Sequence, residues 1–339
     1  MAGTSEPPAA PLARLRGGMP QTQTAYVGVA FIALIVVIWI MAPVFMTPRN
    51  LLNISKNFSF IALMSLGETL VIISGGIDLS VGSICALSAV VTMMLMHFFS
   101  ETTAAQMPGA TIALAALLAL ALASLIGLVN GLLIARVRLS PFVTTLGMLS
   151  VARGMTYVLT QGRAQYPTGP DIALFTGLAN GAMVGLPAQL IYLLALAVLM
   201  GLALRHFVWG RHLYAVGGNA QAAALTGVRV PRVVLSVYVL SGLAAGFSGV
   251  LIAGWLGAAP ANLATGYELR VIAAAVIGGA NLAGGAGGAT GAVLGAALIE
   301  VIRNGFVLIG ANTYWEEVFV GVIIIIAVLV DQLRTRRVF

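Results

Sequence analysis

Charged residues are scarce in this sequence. Only 8% of its 339 residues are Asp, Glu, Lys or Arg, whereas a soluble domain carries about a quarter. A soluble fold of this length would bury a large core but would also need a polar surface that these residues cannot supply. The composition, with 60% hydrophobic residues, therefore excludes a water-soluble globular protein and indicates that lipid is the main solvent.

The residue types used for metal binding and covalent chemistry are also rare. Cys85 is the only cysteine, which excludes a disulfide within the chain and a cysteine-based metal site. The histidines His97, His206 and His212 are too scattered for a zinc motif. Paired acids and a nucleophile with a nearby base are also missing. We therefore predict no metal site, no cofactor and no catalytic residue in this chain.

Lysine occurs once, at Lys56, and its neighbours Ser55 and Asn57 do not form a phosphate-binding P-loop. No ATPase resides in the chain, so any ATP and magnesium would be bound by a partner. The net charge of +7 would suggest a nucleic-acid partner in a soluble protein. Here most of the positive residues lie between apolar runs, where orientation in a bilayer explains them better.

Long apolar runs are abundant. A transmembrane helix needs about 20 such residues, which predicts an all-α polytopic membrane protein of about ten transmembrane helices. We predict a polar, disordered cytoplasmic tail over 1–24, a single transmembrane domain over 25–332, and a cytoplasmic tail over 333–339. The predicted spans are 25–45, 58–74, 81–99, 110–135, 142–160, 189–207, 233–256, 269–284, 288–309 and 316–332.

Arginine is unevenly distributed between the predicted loops. With the N-terminus inside, the loops 136–141 and 208–232 and the C-terminal tail carry eight of the sixteen arginines and face the cytoplasm. The opposing loops 100–109, 257–268 and 310–315 contain no Lys or Arg. The loop 46–57, with Arg49 and Lys56, breaks this pattern. The overall count still places both termini in the cytoplasm.

Two segments are too rich in glycine for continuous helices, and we predict that they are breaks at membrane depth. They run over 74–82 and 278–288. Irregular backbone is tolerated there only inside protein or beside a water-filled cavity. The segments therefore mark either a pathway or close helix crossings, and Asp78 is either a gate residue or an N-cap for the next helix. The candidate pathway residues are Gly75, Gly76, Asp78, Ser80 and Asn281.

An internal similarity accompanies these breaks. The segment 123–131 matches 297–305 at an offset of 174, and both end in an Asn-Gly pair, Asn130-Gly131 and Asn304-Gly305. The two copies would cross the membrane in opposite directions. This predicts an inverted repeat, an architecture of transporters whose pathway lies between the repeats.

The cytoplasmic loop 208–232 contains a short capped helix. Asn219 is a good N-cap, residues 220–226 favour helix, and Gly227 is placed to end it. From these local features the helix is either an ordinary surface helix or a knob that seats in a groove of a cytoplasmic subunit.

The remaining intramembrane polar residues leave alternatives open. Glu68 and Arg153 either pair or face water separately. Glu300 and Arg303 share a helix face and are expected to pair, with a role in the pathway as the alternative. We expect Asn130 and Asn304 to form hydrogen bonds between helices or to cap bends.

Several segments, in order and at matching spacing, resemble the permeases of ribose-type ABC importers. The similarity covers residues 45–331 and departs from the usual pattern at Arg270, Ala286, Gly288 and Arg303. Its main segments are Gly-Gly-Ile-Asp-Leu-Ser-Val-Gly-Ser at 75–83, Pro-Phe-Val-Thr-Thr-Leu-Gly at 141–147, Tyr-Ala-Val-Gly-Gly-Asn at 214–219, and Gly-Tyr-Glu-Leu at 266–269.

The resemblance implies a permease that dimerises, with a second copy or a paralogue, in the bacterial inner membrane. It would dock on a separate ABC ATPase and receive a sugar from a periplasmic binding protein. It also implies that the capped loop is the coupling helix, with Gly217, Gly218, Asn219, Ala222, Ala223, Thr226 and Gly227. At the outer face, Tyr267 and Glu268 are either docking residues for the binding protein or a plain helix start. The alternative function is a secondary transporter driven by H⁺ or Na⁺, with Asp78 or Glu68 at its ion site.

Overall fold

The computed structural model describes residues 19–102, 106–183 and 185–312, and in addition residues 315, 318, 319, 321, 322 and 325. The predicted last span 316–332 lies almost entirely outside these residues, as do the C-terminal tail and residues 1–18. The described part contains twelve α-helices, and residues 19–24, predicted as part of the tail, belong to the first of them. The helices are α1 (Met19–Met41), α2 (Pro48–Ile73), α3 (Val81–Ser100), α4 (Ala110–Ala135), α5 (Pro141–Thr160), α6 (Ile172–Asn180), α7 (Ala188–His206), α8 (Val208–Gly218), α9 (Ala220–Leu225), α10 (Val230–Leu256), α11 (Tyr267–Ile277) and α12 (Ala289–Leu308).

Seven helices within the described residues are long and apolar enough to cross a membrane, and the predicted all-α membrane class is confirmed. These seven are α2, α3, α4, α5, α7, α10 and α12. A 3-10 helix, Pro43–Met46, follows α1. The described strands are β1 (Ala182–Met183) and β2 (Leu186–Pro187), an antiparallel pair in which Ala182 lies opposite Pro187. The inverted repeat stays a prediction.

Three predicted boundaries differ from the structure. The segment 46–57 is mostly helix, because Pro48 at the first position starts α2 ten residues before the predicted span. The span predicted over 269–284 is shortened to α11, which ends at Ile277 because Gly279 adopts a φ of +100°. In the loop 208–232, residues 208–218 form α8 in addition to the expected short helix.

The centre of the bundle is α10, which packs against α2, α3 and α4. Small residues allow these helices to approach closely. A methyl group on Gly242 of α10 would overlap the carbonyl oxygen of Ala123 in α4, and one on Gly127 of α4 would overlap that of Tyr238 in α10. In lipid the hydrophobic effect does not drive helices together, so close van der Waals packing at such glycines stabilises their contact.

Candidate functional site

The first glycine-rich break, residues 74–80, separates α2 from α3. Gly75 adopts a φ of +83°, a conformation that glycine reaches without steric cost. Gly76 lies against the ring of Tyr238, and a Cβ atom there would stand 2.5 Å from the tyrosine oxygen. That hydroxyl donates to the carbonyl of Ile77 at 3.3 Å. Tyr238, fully buried on α10, therefore fixes the middle of the break.

Asp78 ties the end of this break to α3 and α10. Its Oδ1 accepts hydrogen bonds from the Ser80 backbone amide at 3.0 Å and from the Ser80 hydroxyl at 2.5 Å. Its Oδ2 accepts from the Ser241 hydroxyl at 3.1 Å. The N-cap of α3 is Ser80 and not Asp78, which was one alternative from the sequence; Asp78 instead accepts from the backbone amide of that N-cap residue.

Glu68 of α2 and Asn130 of α4 extend this arrangement. Glu68 Oε1 accepts from the backbone amide of Asp78 at 3.0 Å, and Asn130 Nδ2 donates to the Ser80 hydroxyl at 3.0 Å. We call Glu68, Asp78, Ser80, Asn130 and Ser241 the polar cluster. All five are fully buried, and they join α2, α3, α4 and α10 at one point.

Two oxygens of the polar cluster have no hydrogen-bond partner in the described part of the chain, Oε2 of Glu68 and Oδ1 of Asn130. The hydroxyl of Thr69, next to Glu68, is also buried and without a partner there. A second buried charge beside the first is costly in an apolar interior unless it is paired. The cluster places the carboxyl groups of Glu68 and Asp78 in this situation, joined through the Asp78 amide.

The second break, residues 278–288, is held mainly by hydrogen bonds of its own backbone. Asn281 accepts from the Ala283 amide through its own side chain at 2.7 Å and from the Gly284 amide through its carbonyl at 2.8 Å. Its amide donates to the carbonyl of Ala286 at 3.1 Å. Gly284 and Gly285 have φ angles of +95° and +77°. Asn281, a candidate pathway residue, thus uses its side chain to hold the loop.

The two breaks meet at the end of α2. The amide of Gly285 donates to the carbonyl of Ile73, the last residue of α2, at 2.9 Å. That carbonyl belongs to the last turn of the helix, where oxygens lack partners within the helix. The second break therefore completes the helix end from which the first break begins.

The C-terminal turn of α8 lies on this junction. A methyl group on Gly217 would overlap the Ile73 oxygen and would stand 2.5 Å from the Gly285 nitrogen. The Tyr214 hydroxyl donates to the carbonyl of Gly287 at 2.8 Å. A methyl group on Gly218, the next residue, would point into open space. The loop segment predicted to couple is therefore in direct contact with the second break and with the last residue of α2 through one face of α8.

The short helix α9 has the predicted local structure. The side chain of Asn219 accepts from the Ala222 amide at 2.9 Å, and Gly227 ends the segment with a φ of +88°. Ala223 is buried, whereas Leu225 is 90% exposed. The Thr226 hydroxyl donates to the Ala223 carbonyl at 2.9 Å. Leu225 was not identified from the sequence as a contact residue. Its apolar side chain at the end of a capped cytoplasmic helix could have indicated that role.

Tyr267 and Glu268 start α11, and both are partly buried. A methyl group on Gly82, in the first turn of α3, would overlap Oε2 of Glu268. That oxygen is buried and has no hydrogen-bond partner among the described residues. The far end of α3, at Ser100, lies on the side of the predicted external loops. The other alternative, docking of the binding protein at Tyr267 and Glu268, stays a prediction.

Arg153 does not pair with Glu68, so that alternative was wrong. Its guanidinium donates to the carbonyls of Leu263 at 2.6 Å and Ala264 at 3.3 Å. It thereby holds the segment before α11, while Glu68 is bonded to the amide of Asp78. The loop between α10 and α11 brings acceptors to Arg153 that sequence spacing cannot reveal.

Two other polar expectations are confirmed. Glu300 and Arg303 form a two-pronged ion pair along α12, with Arg303 Nε donating to Glu300 Oε2 at 2.8 Å. Asn304 and Asn50 exchange hydrogen bonds between α12 and α2 at 2.9 Å in each direction. Asn130 joins α4 to the start of α3, as described above.

Asp171, outside the spans, connects the α4 and α6 ends. It accepts from the Thr111 hydroxyl at 2.6 Å and from the Gly109 amide at 3.0 Å. These two hydrogen bonds, the Thr111 bond first, hold the pKa of the Asp171 carboxyl below its usual range.

The amino-acid sequence of the chain is similar to those of known permeases. The sequence profile of the family described as "Branched-chain amino acid transport system / permease component" matches residues 50–328. The chain is 38% identical to a probable ABC transporter permease protein of Sinorhizobium fredii, over 94% of this chain and 91% of the relative. No solved structure matches it.

Two relatives carry names that state a solute. The ribose import permease protein of Escherichia coli is 37% identical, over 90% of this chain and 92% of the relative. The galactose/methyl galactoside import permease protein of Escherichia coli is 34% identical, over 91% of this chain and 94% of the relative.

Proposed function

Because the chain belongs to the branched-chain amino acid transport system permease family, we propose that it is the membrane-spanning subunit of a sugar importer driven by a separate ABC ATPase. The names of the ribose and galactose relatives support a sugar as the solute. A periplasmic binding protein would deliver the sugar to a dimer of permeases, formed with a second copy or a paralogue. ATP and magnesium would bind only to the ATPase, and the chain would lie in the bacterial inner membrane with both termini in the cytoplasm.

The observation that supports coupling is the contact of α8 with the second break and with Ile73, the residue after which the first break begins. In our proposal the ATPase receives α9, with Leu225 projecting into its groove. The coupling segment consists of Gly217, Gly218, Asn219, Ala222, Ala223, Thr226 and Gly227. Movement of α9 passes to α8, and Gly217 and Tyr214 pass it to the junction at Ile73 and Gly285.

The breaks are the proposed gate of the pathway. Gly75, Gly76 and Asn281 give the backbone its irregular course, and Asp78 with Ser80 anchors the first break to α3. For Tyr267 and Glu268 we propose a role in packing α11 against α3, because Oε2 of Glu268 lies against Gly82 of α3. Docking of the binding protein at these two residues is the alternative proposal.

Docking can be tested with Leu225→Asp. We expect the variant to fold but to lose association with the ATPase encoded beside it, because a charge replaces the exposed apolar tip of α9. Val137→Asp is the matched control, since Val137 is 61% exposed in another predicted cytoplasmic loop. Co-purification and ATP hydrolysis stimulated by the loaded binding protein are the readouts. Equal ATPase association of Leu225→Asp and wild type would contradict docking through α9.

The polar cluster favours one alternative, a secondary transporter driven by an ion gradient. Its Glu68 and Asp78 are the two fully buried carboxyl groups that such coupling needs. Uptake by the chain alone in liposomes under a proton or sodium gradient, without any ATPase, would favour this alternative over the importer.

A further inference from the structure

A deep groove lies on the side of the bundle formed by α2, α7 and α10. Its volume is about 580 Å³, within the range of small-molecule sites. The floor is made by Leu66, Gly67 and Leu70 of α2, and the walls include Leu199 of α7 and Leu243 of α10. Neither break belongs to its lining, so the groove is separate from the proposed gate.

The groove presents a purely apolar surface. Two of its lining residues carry a polar group, and both groups are already bonded to protein. The Tyr192 hydroxyl donates to the Leu178 carbonyl at 3.2 Å, and the Trp209 indole N–H donates to the Ser236 hydroxyl at 2.8 Å. A sugar would lose its hydrogen bonds with water here and gain none. Hydrocarbon matches this surface.

The length of the groove distinguishes a lipid chain from a protein helix. Tyr192 and Ala203, lining residues of α7, are eleven residues apart, a rise of roughly 17 Å along a helix. The Tyr192 ring stands edge-on to the Phe247 ring of α10, with centroids 6.1 Å apart, and narrows one end. A spanning helix from a second copy would need about 30 Å. A flexible acyl chain needs no such length.

The other end of the groove is basic. Trp209 lines it, and the exposed residues Arg205, His206 and Arg211 lie within four positions of that tryptophan. No Asp or Glu occurs anywhere between residues 172 and 267. Basic residues beside transmembrane helices at the cytoplasmic surface attract anionic lipid headgroups, and a tryptophan there lies at headgroup level.

From these features we infer that the groove between α2, α7 and α10 binds an acyl chain of an anionic phospholipid, with the headgroup at Arg205 and Arg211. The chain would pack against α2 at Gly67 and Leu70, beside Glu68 of the polar cluster. The bound lipid would thereby support the part of α2 that ends at the junction. This consequence for transport rests on the proposed function, whereas lipid binding does not.

Native mass spectrometry of the purified full-length chain tests binding directly. The protein is titrated with phosphatidylglycerol or phosphatidylcholine of identical acyl chains. We expect one saturable phosphatidylglycerol and at least fivefold weaker retention of phosphatidylcholine. Ala195→Trp fills the groove from an exposed position on its wall and should lower phosphatidylglycerol retention at least fivefold. Ala113→Trp, at an exposed position of α4 outside the groove, should leave retention unchanged.

The headgroup contact is tested by the double variant Arg205→Gln/Arg211→Gln. It should reduce the preference for phosphatidylglycerol to near parity while a lipid remains bound. Equal retention by Ala195→Trp and wild type would overturn the assignment of the groove. Equal retention of the two lipids by wild type would overturn the anionic headgroup. Neither readout uses an ATPase or uptake, so failure of the proposed transport function would leave both interpretable.

Discussion

The two glycine-rich breaks adjoin each other but are stabilised in different ways. The first, 74–80, is fixed by buried side chains from α2, α4 and α10, with Asp78 at the centre. The second, 278–288, is fixed by its own backbone, by glycines with positive φ, and by contact with α8. A break anchored to three spanning helices moves with the bundle. The second break, which contacts α8, can move together with the cytoplasmic helices. This difference indicates that movement of the ATPase reaches the spanning helices through the second break.

Among the residues of the two breaks, a glycine of the second break should show the largest effect on stability. Gly284→Ala puts a side chain at a φ of +95°, with its Cβ 2.6 Å from the Gly217 oxygen. Strain and overlap together should destabilise the protein by about 3 kcal/mol. Thermal unfolding in detergent measures this. Gly288→Ala, in the same break with open space around it, is the control. Equal unfolding midpoints for the two variants would show that the backbone of this break is easily deformed.

In the first break, replacement of Asp78 should cause the second largest loss of stability. Asp78→Ala leaves the Ser80 amide and the Ser241 hydroxyl buried without their acceptor, at a cost of about 2–3 kcal/mol. Asp78→Asn keeps one acceptor oxygen and should lose less. The same unfolding assay applies, with Ser241→Ala as the partner variant. If Asp78→Ala unfolds like wild type, side chains do not fix the first break.

For the stability of the protein, the negative charge of Glu68 should matter less than its oxygen that accepts from the Asp78 amide. Glu68→Gln keeps an oxygen for the Asp78 amide and removes one of two adjacent buried carboxyl groups, so stability should change by less than about 1 kcal/mol. Glu68→Leu removes the acceptor and should cost about 1–3 kcal/mol. A Glu68→Gln protein as unstable as Glu68→Leu would mean that the cluster needs a charge at this position, as an ion-coupled transporter would.

Asp171, far from both breaks, should give the smallest effect and serves as a reference. Its pKa is lowered in the folded protein, so its contribution to stability is present above its unfolded pKa of about 3.9 and is lost as pH falls through the folded value. Unfolding midpoints between pH 6 and pH 3 should therefore fall more in wild type than in Asp171→Asn. Parallel pH profiles would contradict the assignment.

Local chemistry was predictable from the sequence, and long-range contacts were not. The cap at Asn219, the stop at Gly227 and the Glu300–Arg303 pair involve residues within eight positions of each other. Arg153 binds carbonyls about 110 residues away, brought to it by the α10–α11 loop. The same folding of that loop buries Glu268 beside Gly82. No local signal indicates that Gly217 would touch Ile73, because that contact depends on how α8 packs on α2.

The central claim is that α8 transmits movement to the junction of the breaks. The most direct test compares Gly217→Ala with Gly218→Ala, adjacent residues of which only Gly217 would direct the added methyl group at the junction. Sugar uptake per ATP hydrolysed is measured in liposomes with the ATPase and loaded binding protein. We predict that Gly218→Ala transports like wild type, whereas Gly217→Ala keeps its ATPase but loses at least tenfold in uptake per ATP. Equal coupling ratios in the two folded variants would contradict the claim.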